Sequence, residues 1–124
     1  MRFITKQFHA YIDYPVAFAL IILPFALGLG ASNPLALYLS VATGVAALLL
    51  TIITNHDTGL FPFIPYKVHL AVDFAVGLLF VLAPFLFGFS GLDAWFYWAN
   101  GAAVLTVVGL HKPAPEAKGT LSVA

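Results

Sequence analysis

Two copies of one pattern contain the residue types that could do chemistry in this sequence: a histidine followed four positions later by an aspartate. The copies are His9-x-x-x-Asp13 and His69-x-x-x-Asp73. Residues four apart in a helix lie on one face, so each histidine would share a face with its aspartate. Imidazole and carboxylate groups bind divalent ions such as zinc, and histidines from two helices can bind haem b. The pattern predicts a site for zinc through all four residues, or for haem b through His9 and His69.

The other two histidines, His56 and His111, follow the second and fourth apolar stretches and are further candidate metal ligands. Two readings need no ligand. In one, each aspartate pairs with its own histidine and ties the helices together. In the other, Asp13 and Asp73 relay protons, and ions pass through an oligomer. The sequence contains no cysteine and no phosphate-binding, zinc-protease or acyl-transfer motif, so we predict no catalytic residue and no enzyme.

Four apolar stretches must position these residues. Hydrophobic residues make up 62% of the 124 and charged residues only 8%, against roughly 25% charged in a soluble domain. Each stretch approaches the ~20 residues that a helix needs to cross a bilayer. The stretches run from about Pro15 to Leu29 (with a mixed approach from Phe8), Leu35 to Ile53, Val68 to Phe89 and Ala94 to Leu110.

The stretches form an internal repeat. A shift of 60 residues aligns the first apolar stretch with the third, and a shift of 57 residues aligns the second stretch with the fourth. We therefore predict an all-α bundle of four transmembrane helices, made of two parallel-topology repeats of a two-helix hairpin. In this single membrane domain (1–124), repeat 1 covers about 9–54 and repeat 2 about 69–111. An interfacial linker covers 55–67, and a polar tail covers 112–124.

Repeated prolines and glycines indicate how the helices end and pack. Proline followed four residues later by glycine closes both first helices, and a glycine lies in the middle of both second helices, where it allows close approach. These structural residues are Pro24, Gly28, Pro84, Gly88, Gly44 and Gly101. Asn33-Pro34 would cap the second helix, and the segment Ser90–Asp93 would cap the fourth.

Charge predicts the orientation. All five basic residues fall outside the two hairpin tips, so both termini and the linker would face the cytoplasm. The basic residues before the first apolar stretch are also compatible with a signal peptide. The same stretch recurs in mid-chain, however, where no signal peptide could lie, and this argues against one. The basic residues are Arg2, Lys6, Lys67, Lys112 and Lys118.

Near the end of the first helix of each repeat, this sequence has Leu23-Pro24-Phe25 and Ala83-Pro84-Phe85. With these residues both repeats, about residues 9 to 110, resemble the SPW-repeat membrane proteins, whose first helices carry Ser-Pro-Trp at the same places. The resemblance implies a bacterial or archaeal protein of the inner membrane, and it implies no activity.

With zero net charge there is no indication of nucleic acid as a partner. We expect a multi-pass structural or interaction module in the lipid bilayer. It would associate with itself or serve as an accessory subunit of other membrane proteins, most simply with no cofactor.

Overall fold

The structure is a computed structural model that describes residues 5–54 and 63–110. Within these ranges the regular elements are helices, apart from one isolated bridge between Thr54 and Ile64. The prediction of an all-helical chain with four helices is confirmed. The candidate ligands His56 and His111, most of the linker and the tail lie outside the described residues. The helices are α1 (Lys6–Ala26), α2 (Leu35–Ile53), α3 (Tyr66–Phe87) and α4 (Gly91–Gly109).

The first helix of each hairpin ends in the same way. Gly28 and Gly88 have φ angles of 68° and 67°, a left-handed conformation that glycine adopts without steric cost. The amide five residues after Pro24 donates to that proline's carbonyl at 2.8 Å, and the amide five residues after Pro84 does the same at 3.1 Å. The repeated proline and glycine therefore end both helices as the sequence predicts, although α1 ends at Ala26 rather than near Leu29.

Each hairpin is packed through its mid-helix glycine. A Cβ atom at Gly44 would lie 2.8 Å from the carbonyl oxygen of Ala17 in α1. A Cβ at Gly101 would lie 2.8 Å from the carbonyl oxygen of Gly77 in α3. These neighbours are backbone atoms, which cannot rotate away, so a side chain at either position would push the helices apart. The predicted close approach at Gly44 and Gly101 is confirmed.

The distribution of polar and apolar side chains is inverted relative to a soluble protein. Large apolar side chains such as Phe18, Phe74 and Phe85 are exposed, while His9, Ser40 and His69 are buried. In the described part of the chain, three helices are long and apolar enough to cross a membrane: Gln7–Ala26, Leu35–Ile53 and Tyr66–Phe87. α4 has a similar length, but it carries Asp93 and Asn100.

The two hairpins meet at both ends. At the turn end, where α1 and α3 end, the Tyr97 hydroxyl donates to the carbonyl oxygen of Ala36 at 2.7 Å. At the histidine end, where α1 and α3 begin, His9 of the first hairpin contacts Asp73 of the second. Most helix-to-helix packing lies within each hairpin, α1 against α2 and α3 against α4. A cavity therefore separates the hairpins between their two joined ends.

Asp93 makes the main polar contact of the turn end. Its carboxylate accepts hydrogen bonds from the backbone N–H groups of Gly30 and Ser32, both at 2.9 Å, and from the Ser32 hydroxyl. Burial opposes its ionisation, but these bonds outweigh burial and hold the pKa of Asp93 below its usual value. The side chain precedes the apolar part of α4, which starts at Ala94.

The prediction that the segment Ser90–Asp93 caps the fourth helix is confirmed for the position of Ser90, which is the N-cap residue, and is corrected for the side chains. α4 begins at Gly91, and Ser90 makes no side-chain capping bond. Asp93 lies inside the first turn and bonds to the other hairpin instead of its own helix. The corresponding prediction for the second helix holds, because the Asn33 side chain accepts from the Leu35 amide at 3.0 Å.

Candidate metal centre

Both histidines lie one turn into their helices. The backbone N–H of His9 donates to the carbonyl of Thr5 at 2.9 Å, and that of His69 donates to the carbonyl of Pro65 at 3.2 Å. Thr5 caps α1 by accepting from the Phe8 amide, and Pro65 precedes α3 in extended conformation. The two helices thus begin at equivalent places, so their histidines lie at equivalent depth.

The four predicted residues converge in one cluster. His9 Nε2 lies 3.0 Å from Asp13 Oδ1 and 2.9 Å from Asp73 Oδ2. His69 Nε2 lies 3.3 Å from Asp13 Oδ2 and 3.3 Å from Asp73 Oδ2. Each aspartate therefore contacts its own histidine and the histidine of the other repeat. We refer to His9, Asp13, His69 and Asp73 as the His/Asp cluster.

The distances in the His/Asp cluster match the size of a tetrahedral metal site. Bonds of ~2.0–2.1 Å to zinc place neighbouring ligand atoms roughly 3.3–3.4 Å apart. The nitrogen-to-oxygen distances given above lie at this value or a few tenths of an ångström below it. One possible ligand atom from each of the four residues lies within 4.8 Å of the others.

Thr54, at the end of α2, fixes the orientation of one histidine. Its hydroxyl has a single proton, which it donates to the carbonyl oxygen of Leu50. Thr54 Oγ1 therefore accepts from His69 Nδ1, which lies 2.8 Å away. With Nδ1–H used in this way, Nε2 of His69 is the ring nitrogen that faces the aspartates. Metal-binding histidines are commonly oriented by such a bond on the far side of the ring.

The His/Asp cluster is enclosed by protein. His9 and His69 are each 2% exposed, and the side chains of Asp13 and Asp73 are 11% and 20% exposed. Tyr66 is buried beside both histidines, with ring centroids 6.0 Å from His9 and 6.1 Å from His69. Because water has little access, charges in this cluster must be balanced by one another or by a bound ion.

A cavity of about 440 Å³ begins at the His/Asp cluster and extends between the hairpins. Its walls are mainly aliphatic and come from each of α1 to α4. Most lining residues occur as pairs related by the two repeat shifts, so the pseudo-two-fold axis passes through the cavity. The pairs are His9 and His69, Ile12 and Val72, Asp13 and Asp73, Val16 and Val76, Thr43 and Asn100, Ala46 and Ala103, Ala47 and Val104, and Leu50 and Val107.

The sequence predicts the four residues of the His/Asp cluster. It does not predict the roles of Thr54 and Tyr66, which contact the cluster, or of Asp93, the aspartate that joins the hairpins at the turn end. Thr54 and Tyr66 were missed because nothing in the linear pattern connects the end of α2 to the start of α3. The sequence predicts Asp93 to be part of a helix cap. A signal for its true role exists, since the turn from 27 to 34 is longer than the turn from 88 to 90 and offers extra backbone N–H groups to an acid.

Comparison with known proteins adds no relative: no protein-family model, no curated protein and no solved structure matches this chain. The resemblance to SPW-repeat proteins therefore stays a prediction.

Proposed function

We propose that this protein is a non-catalytic membrane module whose two hairpins are held together by one divalent transition-metal ion in the His/Asp cluster. The observation that carries the proposal is the approach of both imidazole Nε2 atoms to both carboxylates within 3.3 Å. A set of four protein ligands is typical of structural zinc sites, whereas catalytic sites keep one position open. The mixture of nitrogen and oxygen ligands favours zinc and its neighbours over calcium or magnesium.

Charge balance supports an ion at this place. Two ionised aspartates carry two negative charges, and two imidazoles that coordinate a metal ion are neutral. One divalent cation makes the buried site neutral, which removes the large cost of placing an isolated charge in a membrane. The same ion would link α1 to α3 and thereby join the hairpins at the histidine end.

Haem b fits the cluster less well than a metal ion does. The rings of His9 and His69 have centroids 5.8 Å apart and stand nearly perpendicular, at 86°. The carboxylates of Asp13 and Asp73 contact both Nε2 atoms, in the space that a porphyrin between the histidines would need. We therefore prefer an ion to haem.

The environment of the module is part of the proposal. Three apolar helices and an apolar exterior support a place in the bilayer. We propose four membrane crossings in the inner membrane, with both termini in the cytoplasm, following the positions of the basic residues. Self-association or binding to larger membrane proteins would use the exposed aromatic residues. A reporter fused to the C-terminus tests the orientation, and a signal from outside the cytoplasm would contradict it.

Metal analysis of the purified protein tests the function. The chain is purified in mild detergent, loaded with zinc, passed over a desalting column and analysed for metal and for haem absorbance. We expect about one zinc per chain, a four-ligand structural site, in the wild type. The double variant His9→Ala/His69→Ala should retain none. Asp93→Asn is the matched control, because it alters a buried carboxylate at the other end, and it should retain the wild-type zinc content.

Two results would contradict the proposal. One is a wild type that holds no zinc, manganese, iron, cobalt, nickel or copper after loading. The other is zinc bound equally by the wild type and by the double histidine variant. A haem absorbance band that disappears in His69→Ala would establish the haem alternative instead. His56→Ala and His111→Ala report whether the two further candidate ligands take part.

A further inference from the structure

The cavity above the His/Asp cluster has the size and lining of a ligand site. Its volume of about 440 Å³ lies within the ~300–1,000 Å³ typical of small-molecule pockets. It extends along α1 from His9 to Leu20, a rise of eleven residue steps, or about 16 Å at ~1.5 Å per residue. The space is thus long and narrow, and it suits one hydrocarbon chain better than a compact ring system.

The ionisable groups of the cavity all lie at one end. The His/Asp cluster and Thr51 line the histidine end, and aliphatic side chains such as Val16, Val76 and Leu50 follow. Two uncharged polar residues, Thr43 and Asn100, line the cavity farther along, and the Asn100 amide donates to the Phe96 carbonyl of its own helix. A molecule that fits must therefore be an amphiphile, with its polar headgroup at the cluster and its chain along the pseudo-two-fold axis. Because both repeats point the same way, that axis is parallel to the lipid chains. The surrounding bilayer is a ready source of such a molecule.

The charge of the cluster selects the headgroup. With a divalent ion bound, the His/Asp cluster is neutral, so an anionic headgroup would leave an unbalanced negative charge and a cationic one would be repelled by the ion. The carboxylate oxygens of Asp13 and Asp73 accept hydrogen bonds but cannot donate them. An uncharged headgroup that donates a hydrogen bond, a hydroxyl, satisfies both conditions.

We propose that the cavity binds a single-chain lipid alcohol, with its hydroxyl at the His/Asp cluster and its hydrocarbon chain between the hairpins. The choice of an uncharged headgroup rests on the proposed metal site, because the bound ion makes the His/Asp cluster neutral. The proposal adds a lipid ligand to a protein for which the proposed function gives only a structural ion.

Photolabelling tests this proposal in zinc-loaded protein reconstituted into lipid nanodiscs. The probe is 1-dodecanol with a diazirine at mid-chain, and labelled peptides are mapped by mass spectrometry. We expect labels on cavity residues such as Val76 and Val104. Unlabelled 1-dodecanol should compete at least about tenfold better than dodecane, dodecanoate or dodecylamine, the effect of one hydrogen bond to a charged group.

A pair of variants controls for labelling from the bilayer. Ala103→Phe places a large side chain in the cavity and should abolish labelling there while zinc content is kept. Val45→Phe adds the same side chain on the exposed face of α2 and should leave labelling unchanged. The competition series in the wild type needs no variant, so the test holds even where Ala103→Phe fails to fold.

The outcomes separate this inference from the proposed function. Labels confined to exposed positions such as Phe74, or equal competition by all four compounds, would overturn the lipid-alcohol site. Zinc bound without cavity labelling would overturn this inference alone. Cavity labelling competed by 1-dodecanol in a protein that binds no zinc would overturn the metal proposal alone.

Discussion

The two ends of the bundle both join the hairpins through aspartates, yet the surroundings of these carboxylates differ. At the turn end, Asp93 accepts from backbone N–H groups and a hydroxyl, each of which has a fixed proton to donate. At the histidine end, Asp13 and Asp73 face imidazole nitrogens. An imidazole nitrogen offers either a proton or a lone pair, so these contacts can be remade around a cation.

The difference between the two ends shows how aspartate can serve either the stability of the fold or the binding of a ligand. A carboxylate surrounded by fixed donors is fully used by the fold, and it has no capacity left for a ligand. A carboxylate surrounded by groups that also bind metals keeps that capacity. We therefore expect changes at the turn end to alter stability alone, and changes at the histidine end to alter ligand binding.

The largest expected effect is stabilisation by zinc at the histidine end. A ligand at 100 times its Kd stabilises the folded state by about 2.7 kcal/mol. Wild-type protein should show this gain in the free energy of unfolding during denaturant titration in mixed micelles. His9→Ala/His69→Ala should lose the gain, whereas Asp93→Asn should keep it. An equal response of the double variant to zinc would remove the distinction between the two ends.

The next effect is the loss of the Asp93 carboxylate at the turn end. Asp93→Ala leaves the amides of Gly30 and Ser32 without this acceptor, and we expect about 2 kcal/mol of destabilisation. Asp93→Asn keeps one carbonyl oxygen as an acceptor, so its free energy of unfolding should fall by less. Zinc affinity should stay within error of the wild type in both variants. A large fall in zinc affinity of folded Asp93→Ala would show that the ends are coupled.

A smaller effect is expected from the residue that orients His69. Thr54→Val keeps the shape of the side chain but removes the acceptor for Nδ1–H, and it should weaken zinc binding by about tenfold. Thr51→Val is the matched control, because the Thr51 hydroxyl donates to the carbonyl of Ala47 in the same helix. Titration with a competing chelator measures both. Equal weakening in the two variants would argue against a role for Thr54 in orienting the ligand.

The smallest effect is the pH dependence contributed by Asp93. Because its pKa is lower in the folded than in the unfolded state, ionised Asp93 stabilises the fold above about pH 4. This contribution should disappear as the pH falls below that range. The difference in free energy of unfolding between wild type and Asp93→Asn should accordingly shrink below pH 4. A difference that grows as the pH falls would contradict the assignment.

Much of the fold follows from the sequence because a membrane-spanning segment must be a helix of about 20 apolar residues. The apolar run from Leu35 to Ile53 predicts α2 with its observed ends, and the repeated Pro24 and Pro84 predict where α1 and α3 close. The His-x-x-x-Asp spacing likewise places each pair on one helix face. These features depend on local backbone geometry and on length, both of which can be read from the linear pattern.

The contacts between the hairpins did not follow from the sequence. Whether His9 meets Asp73 depends on how far the hairpins lie apart, which is set by packing at both ends. The sequence predicts a local cap at Asp93 because an acidic residue near a helix start usually is one. Its bonds to the Gly30 turn depend on the tertiary arrangement, as do the Thr54 contact and the cavity.

X-ray absorption at the zinc edge of zinc-loaded protein tests the central claim most directly. The proposal predicts four nitrogen or oxygen neighbours at ~2.0–2.2 Å, with the outer-shell scattering of two imidazoles. In His69→Ala the imidazole scattering should fall by half or the zinc should be lost. A first shell of six oxygen atoms without imidazole scattering would contradict the claim that His9 and His69 bind the ion.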